Sequence, residues 1–338
     1  MILSGDAAES IAVAARQISA GGLLGLPTET VYGLAADADN EAAVAQIFSA
    51  KGRPAGHPLI VHVANAAAVE HFAVAVPAFA RQLMHAFWPG PLTLILPRRP
   101  GVACAAAGGH ATIGLRCPAH PLALALLASG QVAPPEARFL GLAAPSANLF
   151  GRVSPTTAQH VQDEFGAALL ILDGGSCQVG IESSIIDCTR GQPVLLRPGA
   201  ITPLQMQAVC GLQVLQKEEL QTLAAPAPKA SGTLDSHYAP KARVRLMDAQ
   251  TLREALRSGV TPEAVNLLAV WHRSDLPILA SSGVLFRAMP ALASAAAQQL
   301  FATLRELDAL GVQQIWIESP PSETAWDGVR DRLQRAAF

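Results

Sequence analysis

Residues 25–62 read GLPTETVYGLAADADNEAAVAQIFSAKGRPAGHPLIVH, and this stretch decides the fold class. The apolar run Leu23 to Leu26 predicts a short buried strand that ends at Pro27. Thr28, Glu29 and Thr30 follow, residue types that favour a turn closed by side-chain-to-backbone hydrogen bonds. Residues 40–50 suit a helix capped by Asn40, with Val44, Ile47 and Phe48 on one face. Leu59 to Val63 is β-branched and strand-like, and alternation puts His62 on the face opposite Val61 and Val63. Strand, helix and strand in immediate succession predict an α/β sheet. Lys51 is the first lysine of the chain and the next is Lys217. With Arg53 two residues on, beside Gly52 and Pro54, it reads as a placed anion site.

The pattern continues on both sides. Residues 6–20 predict a helix capped by Asp6 and stopped by Gly21 and Gly22. Further helices are expected over 77–87 and 119–129, and from Pro155 with Ser154 as cap. Strands are expected over 92–96, 112–116, 140–144, 169–172, 185–187 and 194–197. Their spacing is not a regular βαβ repeat, so the sheet should be mixed. Residues 131–138 (QVAPPEAR) read as a surface loop. Residues 217–240 turn Pro- and Ala-rich and read as a linker. Beyond them the pattern resets, with strands over 265–271, 284–286 and 314–318 and helices over 291–310 and 324–336. The expected division is a catalytic domain over 1–208, a linker or lid over 209–240, and a smaller C-terminal α/β unit over 241–338.

Composition narrows the function. The chain has 338 residues, 51% hydrophobic and 15% charged, which is a folded protein with a sizeable core. Its formal charge is −2, from 24 basic and 26 acidic residues, so it is no polycation that grips nucleic acid by phosphate neutralisation. Its five cysteines lack zinc-like spacing and read as buried thiols of a reducing compartment. No basic region precedes a long apolar run at the N-terminus, and no apolar stretch spans a bilayer, so a cytoplasmic location is expected.

No G-x-x-x-x-G-K-[ST] loop and no G-x-G-x-x-G fingerprint is present, so a nucleotide would have to be held without either. Polar clusters instead recur at the ends of predicted strands: Thr28/Glu29/Thr30, Lys51/Arg53, Thr112/Arg116, Ser146/Asn148, Ser183/Ser184 and Arg197. Singly, each reads as a capped turn or a solvated charge. Together, four cations and several hydroxyls at one sheet crevice suit phosphates and a small carboxylate. His57, His62 and His71 lack a Cys or carboxylate partner at ligand spacing, so no metal site is expected; substrate contact or proton handling suits His62 better. Ser146 lacks a nucleophile-elbow context, and Glu29 and Glu182 form no evident acid/base pair.

PTETVYGL (27–34), KGRPAGHPLIVHV (51–63), WPGPLTLIL (88–96), TIGLRCPAHP (112–121), APSANLFGRVSPT (144–156), ILDGG (171–175), ESSIIDC (182–188) and VLLRPGAIT (194–202) occur in that order. The set resembles the threonylcarbamoyl-AMP synthases of the YrdC-like fold, and SGTLDSHYAP (231–240) with the tail beyond it resembles their long, two-domain form. The resemblance covers nearly the whole chain. It implies a twisted mixed sheet with flanking helices and a Rossmann-like C-terminal domain. It implies synthesis of L-threonylcarbamoyl-AMP from L-threonine, bicarbonate and ATP with release of pyrophosphate, for threonylcarbamoyladenosine in tRNA. By the same resemblance, Thr30, His62, Arg116, Ala144 and Ser183 would hold L-threonine. Lys51, Arg53, His57, Thr112, Ser146, Asn148, Ser154, Arg197 and Tyr238 would contact ATP, with Lys51, Arg53 and His62 nearest the chemistry and Tyr238 closing as a lid. Mg²⁺ would come with ATP. The product would pass to the tRNA threonylcarbamoyl-transfer machinery, with a weak tRNA contact among the expectations and no membrane partner. Two other readings stay open here: a carbamoyl-adenylate-forming enzyme of the same fold, and an RNA-binding module. Two tyrosines and the absence of a basic excess speak against the second.

Overall fold

The computed structural model describes residues 1–217, 219, 228–230, 232, 237–258, 267–276 and 284–337. The chain forms two compact units, one of residues 1–150 and 154–233, the other of 151–153 and 234–338. Of the segment expected as linker and lid, residues 218, 220–227, 231 and 233–236 lie outside the described residues, as does the start of the strand expected from Val265.

The first unit follows the order β1 (Ile2–Ser4), α1 (Ala8–Ser19), β2 (Leu24–Leu26), β3 (Gly33–Asp37), α2 (Glu41–Lys51), β4 (Ile60–His62), α3 (Val69–Phe72), α4 (Ala78–Phe87), β5 (Leu92–Pro97), β6 (Thr112–Arg116), α5 (Pro121–Val132), β7 (Leu142–Ala143), α6 (Ala158–Phe165), β8 (Leu170–Asp173), β9 (Ser184–Asp187), β10 (Val194–Arg197), α7 (Pro203–Cys210) and β11 (Leu215–Gln216). Among the described residues these strands make an eleven-stranded sheet, ordered β1-β8-β2-β3-β7-β4-β6-β5-β9-β10-β11. It is mixed, as expected: β4 and β6 run parallel, β5 and β6 antiparallel, β5 and β9 parallel.

Local chemistry sets several boundaries. Asn40 Oδ1 accepts the Ala43 N–H at 3.0 Å and starts α2, and Gly52, left-handed at φ 62°, ends it. Two expected caps fail. Asp6 does not cap α1, whose N-cap is Ala7 without a side-chain bond. Ser154 caps no helix: Pro155 lies outside any helix, its carbonyl taken by the Tyr32 N–H at 2.9 Å, and α6 begins after Thr157, whose hydroxyl accepts from His160.

Alternation along the central strands separates two faces. Val61, Val63, Leu92, Leu94, Leu96, Ile113, Leu115 and Ile186 all join one buried core with residues of α2 and α4. The opposite face carries Ile60 and His62 on β4, in register with Gly114 and Arg116 on β6, and Thr93 in register with Ile185. That face holds a pocket of about 290 Å³, part of it open to solvent, lined among others by Pro58, Ile60, Thr93, Thr112, Ile185 and Lys229.

The second unit contains β12 (Arg243–Met247), α8 (Ala249–Ser258), β13 (Leu268–His272), β14 (Leu285–Ala288), α9 (Ala293–Ala309), β15 (Gln314–Glu318) and α10 (Asp327–Ala336). Its strands pair in parallel in the order β12-β15-β13-β14. Leu252 and Leu256 of α8 pack on Leu268 and Val270. This is the expected smaller α/β unit, with β12 and α8 added.

Candidate active site

The topology places the polar clusters at both ends of one sheet face. Because β4 and β6 run parallel, His62 and Arg116 stand together at their carboxyl ends. Antiparallel β5 and its partner β9 begin at that same end, bringing Thr93 and Ser183, and β10 finishes there with Arg197. The amino ends of β4 and β6 carry His57 and Thr112, and β7 delivers Ala144 to them through its N–H on the Ile60 carbonyl at 3.0 Å. Thr112 and Arg116 therefore mark opposite ends of one strand face, about 13 Å apart at strand rise.

Arg116 is 4% exposed and multiply held. Its Nη1 donates to Thr30 Oγ1 at 2.8 Å, its Nε to the Gly90 carbonyl at 3.2 Å, and its Nη2 lies 2.7 Å from Glu29 Oε1. Glu29 Oε2 accepts the Ala119 N–H at 3.0 Å. Thr28 Oγ1 donates to the Val31 carbonyl and accepts the Thr30 and Val31 N–H groups, so the turn is locked from within. Burial, then the Arg116 charge, pushes His62 down to about 3. At neutral pH its ring is uncharged, and its Nδ1 has no hydrogen-bond partner among the described residues. A ring that holds a proton so weakly is a poor acceptor for an amine proton; it serves better as a neutral hydrogen-bonding wall.

On the neighbouring strands, Arg197 is buried and donates from Nε to the Ser183 carbonyl at 3.0 Å and from Nη2 to Ser183 Oγ at 3.2 Å. Ser183 Oγ also lies 2.7 Å from Thr93 Oγ1.

At the other end Lys51 is buried, and Nζ donates to the carbonyls of Ser146 at 2.6 Å and Asn148 at 2.5 Å. Burial, then the Arg53 charge, draws its pKa down to about 7, against the opposing pull of the Glu164 and Glu182 charges. Arg53 donates to the Pro58 carbonyl at 3.0 Å and stands 5.8 Å from the Phe150 ring centre, and His57 meets the same ring edge-on at 5.7 Å. Ser154 Oγ donates to Glu182 Oε1 at 2.5 Å. Tyr238 belongs to the second unit. It is 1% exposed, packed 5.3 Å from Phe301 with the Arg332 guanidinium over its ring at 5.6 Å.

Thus Thr30, His62, Arg116, Ser183 and Arg197 share one sheet end, and Lys51, Arg53, His57, Thr112, Ala144, Ser146 and Asn148 the other. Sequence reasoning assigns three residues no role. Glu29 reads as part of a polar cluster and, with Glu182, as no evident acid/base pair; each instead finds a distant partner. Thr93 looked like an ordinary strand residue, and only its place in PGPLT could have marked it. Among the described residues no group of three or more His, Cys, Asp or Glu could hold a metal ion.

The chain matches known proteins along its length. Residues 16–199 match a family model described as "Telomere recombination", and residues 201–338 match one described as "Threonylcarbamoyl-AMP synthase, C-terminal domain". A threonylcarbamoyl-AMP synthase from Pyrococcus abyssi is 37% identical over 97% of this chain and 94% of its own. One from Bacillus subtilis is 36% identical over 97% and 92%. The crystal structure of P. abyssi Sua5 complexed with L-threonine superposes with a TM-score of 0.87, covering 100% of this chain and 97% of that one at 34% identity. With two family models in tandem and relatives matched nearly end to end, this chain belongs to the threonylcarbamoyl-AMP synthase family.

Proposed function

We propose that the chain condenses L-threonine, bicarbonate and ATP into L-threonylcarbamoyl-AMP and pyrophosphate, on the open face of the first unit's sheet. The observation that carries this reading is the run from Thr112 to Arg116. An apolar floor lies between a cation end at Arg116 and Arg197 and a second at Lys51 and Arg53, long enough to seat an amino acid and a nucleotide in line. Arg116, preset by Glu29 and Thr30, offers its fork to the threonine carboxylate. Thr30, His62 and Ser183 complete that end, and the Ala144 backbone would meet the amino acid from the Ile60 side. Lys51, Arg53, His57, Thr112, Ser146, Asn148 and Ser154 serve the ATP end, while Arg197, expected to contact ATP, stands beside Ser183 at the amino-acid end.

The chemistry needs no covalent enzyme intermediate. The threonine nitrogen attacks the carbon of bicarbonate, expelling water, or of CO2 derived from it, losing a proton, and either way gives a carbamate. A carbamate oxygen then attacks the α-phosphorus, and the bond to the β-phosphate bridging oxygen breaks to release pyrophosphate. Both steps concentrate negative charge, so buried guanidinium groups and alignment supply most of the catalysis. Mg²⁺, held by the phosphates and water, would neutralise the leaving pyrophosphate. The product would feed tRNA threonylcarbamoylation through a transfer enzyme in the cytoplasm. Among the described residues no helix is long and apolar enough to cross a membrane.

The test is pyrophosphate release by the full chain with ATP, Mg²⁺, bicarbonate and L-threonine. Release should require both L-threonine and bicarbonate and fall steeply in Lys51→Ala and Arg53→Ala. Release independent of either co-substrate overturns the reading.

A further inference from the structure

Thr93 is fully buried on β5, and its Oγ1 lies 2.7 Å from Ser183 Oγ. The distance alone leaves open which hydroxyl donates. The surroundings decide it. Arg197 Nη2 points at Ser183 Oγ at 3.2 Å, and a guanidinium only donates, so one Ser183 lone pair is filled. The same guanidinium also holds the Ser183 backbone, its Nε donating to the Ser183 carbonyl at 3.0 Å. A hydroxyl has one proton and two lone pairs. If that proton went to Thr93, Ser183 would offer the proposed amino-acid site only a bare lone pair. An anion would then meet repulsion at a residue placed to receive it. If Thr93 donates instead, both Ser183 lone pairs are filled and its proton is left for the ligand.

Thr93 is built to hold one orientation. It is β-branched and stiff at χ1. Its methyl group faces Gly114, where an added Cβ would sit 3.4 Å away, and the residue lines the pocket floor.

We infer that Thr93 is a positioning residue that, with Arg197, makes Ser183 an obligate hydrogen-bond donor to a carboxylate-type oxygen of the amino-acid substrate. That oxygen belongs either to the α-carboxylate or to the carbamate formed at the amino nitrogen. The inference rests on the proposed function, since it takes Ser183 as part of the amino-acid site. The donors line up as Arg197 and Thr93 to Ser183, and Ser183 to the anion, an arrangement in which each bond polarises the next.

The test uses the full chain as wild type, Thr93→Val and Thr93→Ser. L-threonine binding is measured by calorimetry with and without bicarbonate, and pyrophosphate release gives KM for L-threonine and for ATP. Thr93→Val keeps the shape and should weaken L-threonine by about 3- to 10-fold, the effect of one hydrogen bond, with KM for ATP unchanged. Thr93→Ser should recover to within about 2-fold, because it restores the same bond. Loss without bicarbonate identifies the α-carboxylate; loss only with bicarbonate identifies the carbamate oxygen. The inference is overturned if Thr93→Val matches wild type, if Thr93→Ser is as impaired as Thr93→Val, or if KM for ATP shifts equally. A wild type that turns over normally beside an unaffected Thr93→Val defeats this inference alone. A wild type that neither binds L-threonine nor releases pyrophosphate defeats the proposed function and this inference with it.

Discussion

Replacing Glu29 by alanine should be among the most damaging single changes in the larger unit. Glu29 Oε1 and Arg116 Nη2 are 2.7 Å apart with side chains 7% and 4% exposed. Glu29 Oε2 also accepts the Ala119 N–H at 3.0 Å. Removing one member of a buried pair strands the other charge, which costs about 3–5 kcal/mol. Arg116 keeps its bonds to Thr30 and Gly90, but those are neutral acceptors and do not balance its charge. The pair as a whole is a different matter, since apolar replacement of both partners is often close to neutral. Glu29→Ala combined with Arg116→Met should therefore lose clearly less than the sum of the two single changes, by about 2 kcal/mol or more. Native-state hydrogen exchange read at the β6 amides isolates this unit from the second one. A loss below about 1 kcal/mol in Glu29→Ala, or strict additivity in the double variant, would show that water reaches the pair and that the carboxylate does not hold Arg116.

Two further outcomes follow from the nucleotide end. Lys51, drawn to about 7 by burial and by Arg53, should gain a proton when a triphosphate arrives, because a nearby anion favours the charged form. Calorimetry of ATP binding near pH 7.5, in buffers of different ionisation enthalpy, should show proton uptake that vanishes in Lys51→Met and fades below about pH 6, where the amine is already charged; equal uptake in that variant would refute the assignment. Gly108 sits at φ 61°, and a Cβ there would come 3.0 Å from the Gly56 carbonyl carbon and oxygen, in the turn that carries His57. Gly108→Ala should raise KM for ATP several-fold, on the order of 1 kcal/mol of strain passed to that turn, while L-threonine binding stays as it was; an unchanged KM for ATP would separate the two loops.

Much of this was legible in the chain itself. Alternation in LIVHV and TIGLR separates a core face from a site face, since a one-residue period error would bury His62 and Arg116 against the helices. Asn40 and Gly52 bound α2 through local hydrogen bonding and local backbone freedom, which need no tertiary partner. The motif order and the reset after the linker announced two α/β units. Other features came only with tertiary structure. β3 (GLAAD) has weak strand propensity, and its flanking partners β2 and β7 recruit it by pairing along both edges. Ser154, a convincing cap by spacing, is claimed by Glu182, and Lys51, a convincing phosphate ligand by isolation, turns to the Ser146 and Asn148 carbonyls. Glu29 finds Arg116, and Thr93 finds Ser183, across separations that no local rule bridges. Periodicity and capping act over a few residues, so sequence determines which face and which helix end. A buried charge or hydroxyl must be satisfied by whatever the fold brings within about 3 Å, so its partner is decided only when the sheet closes.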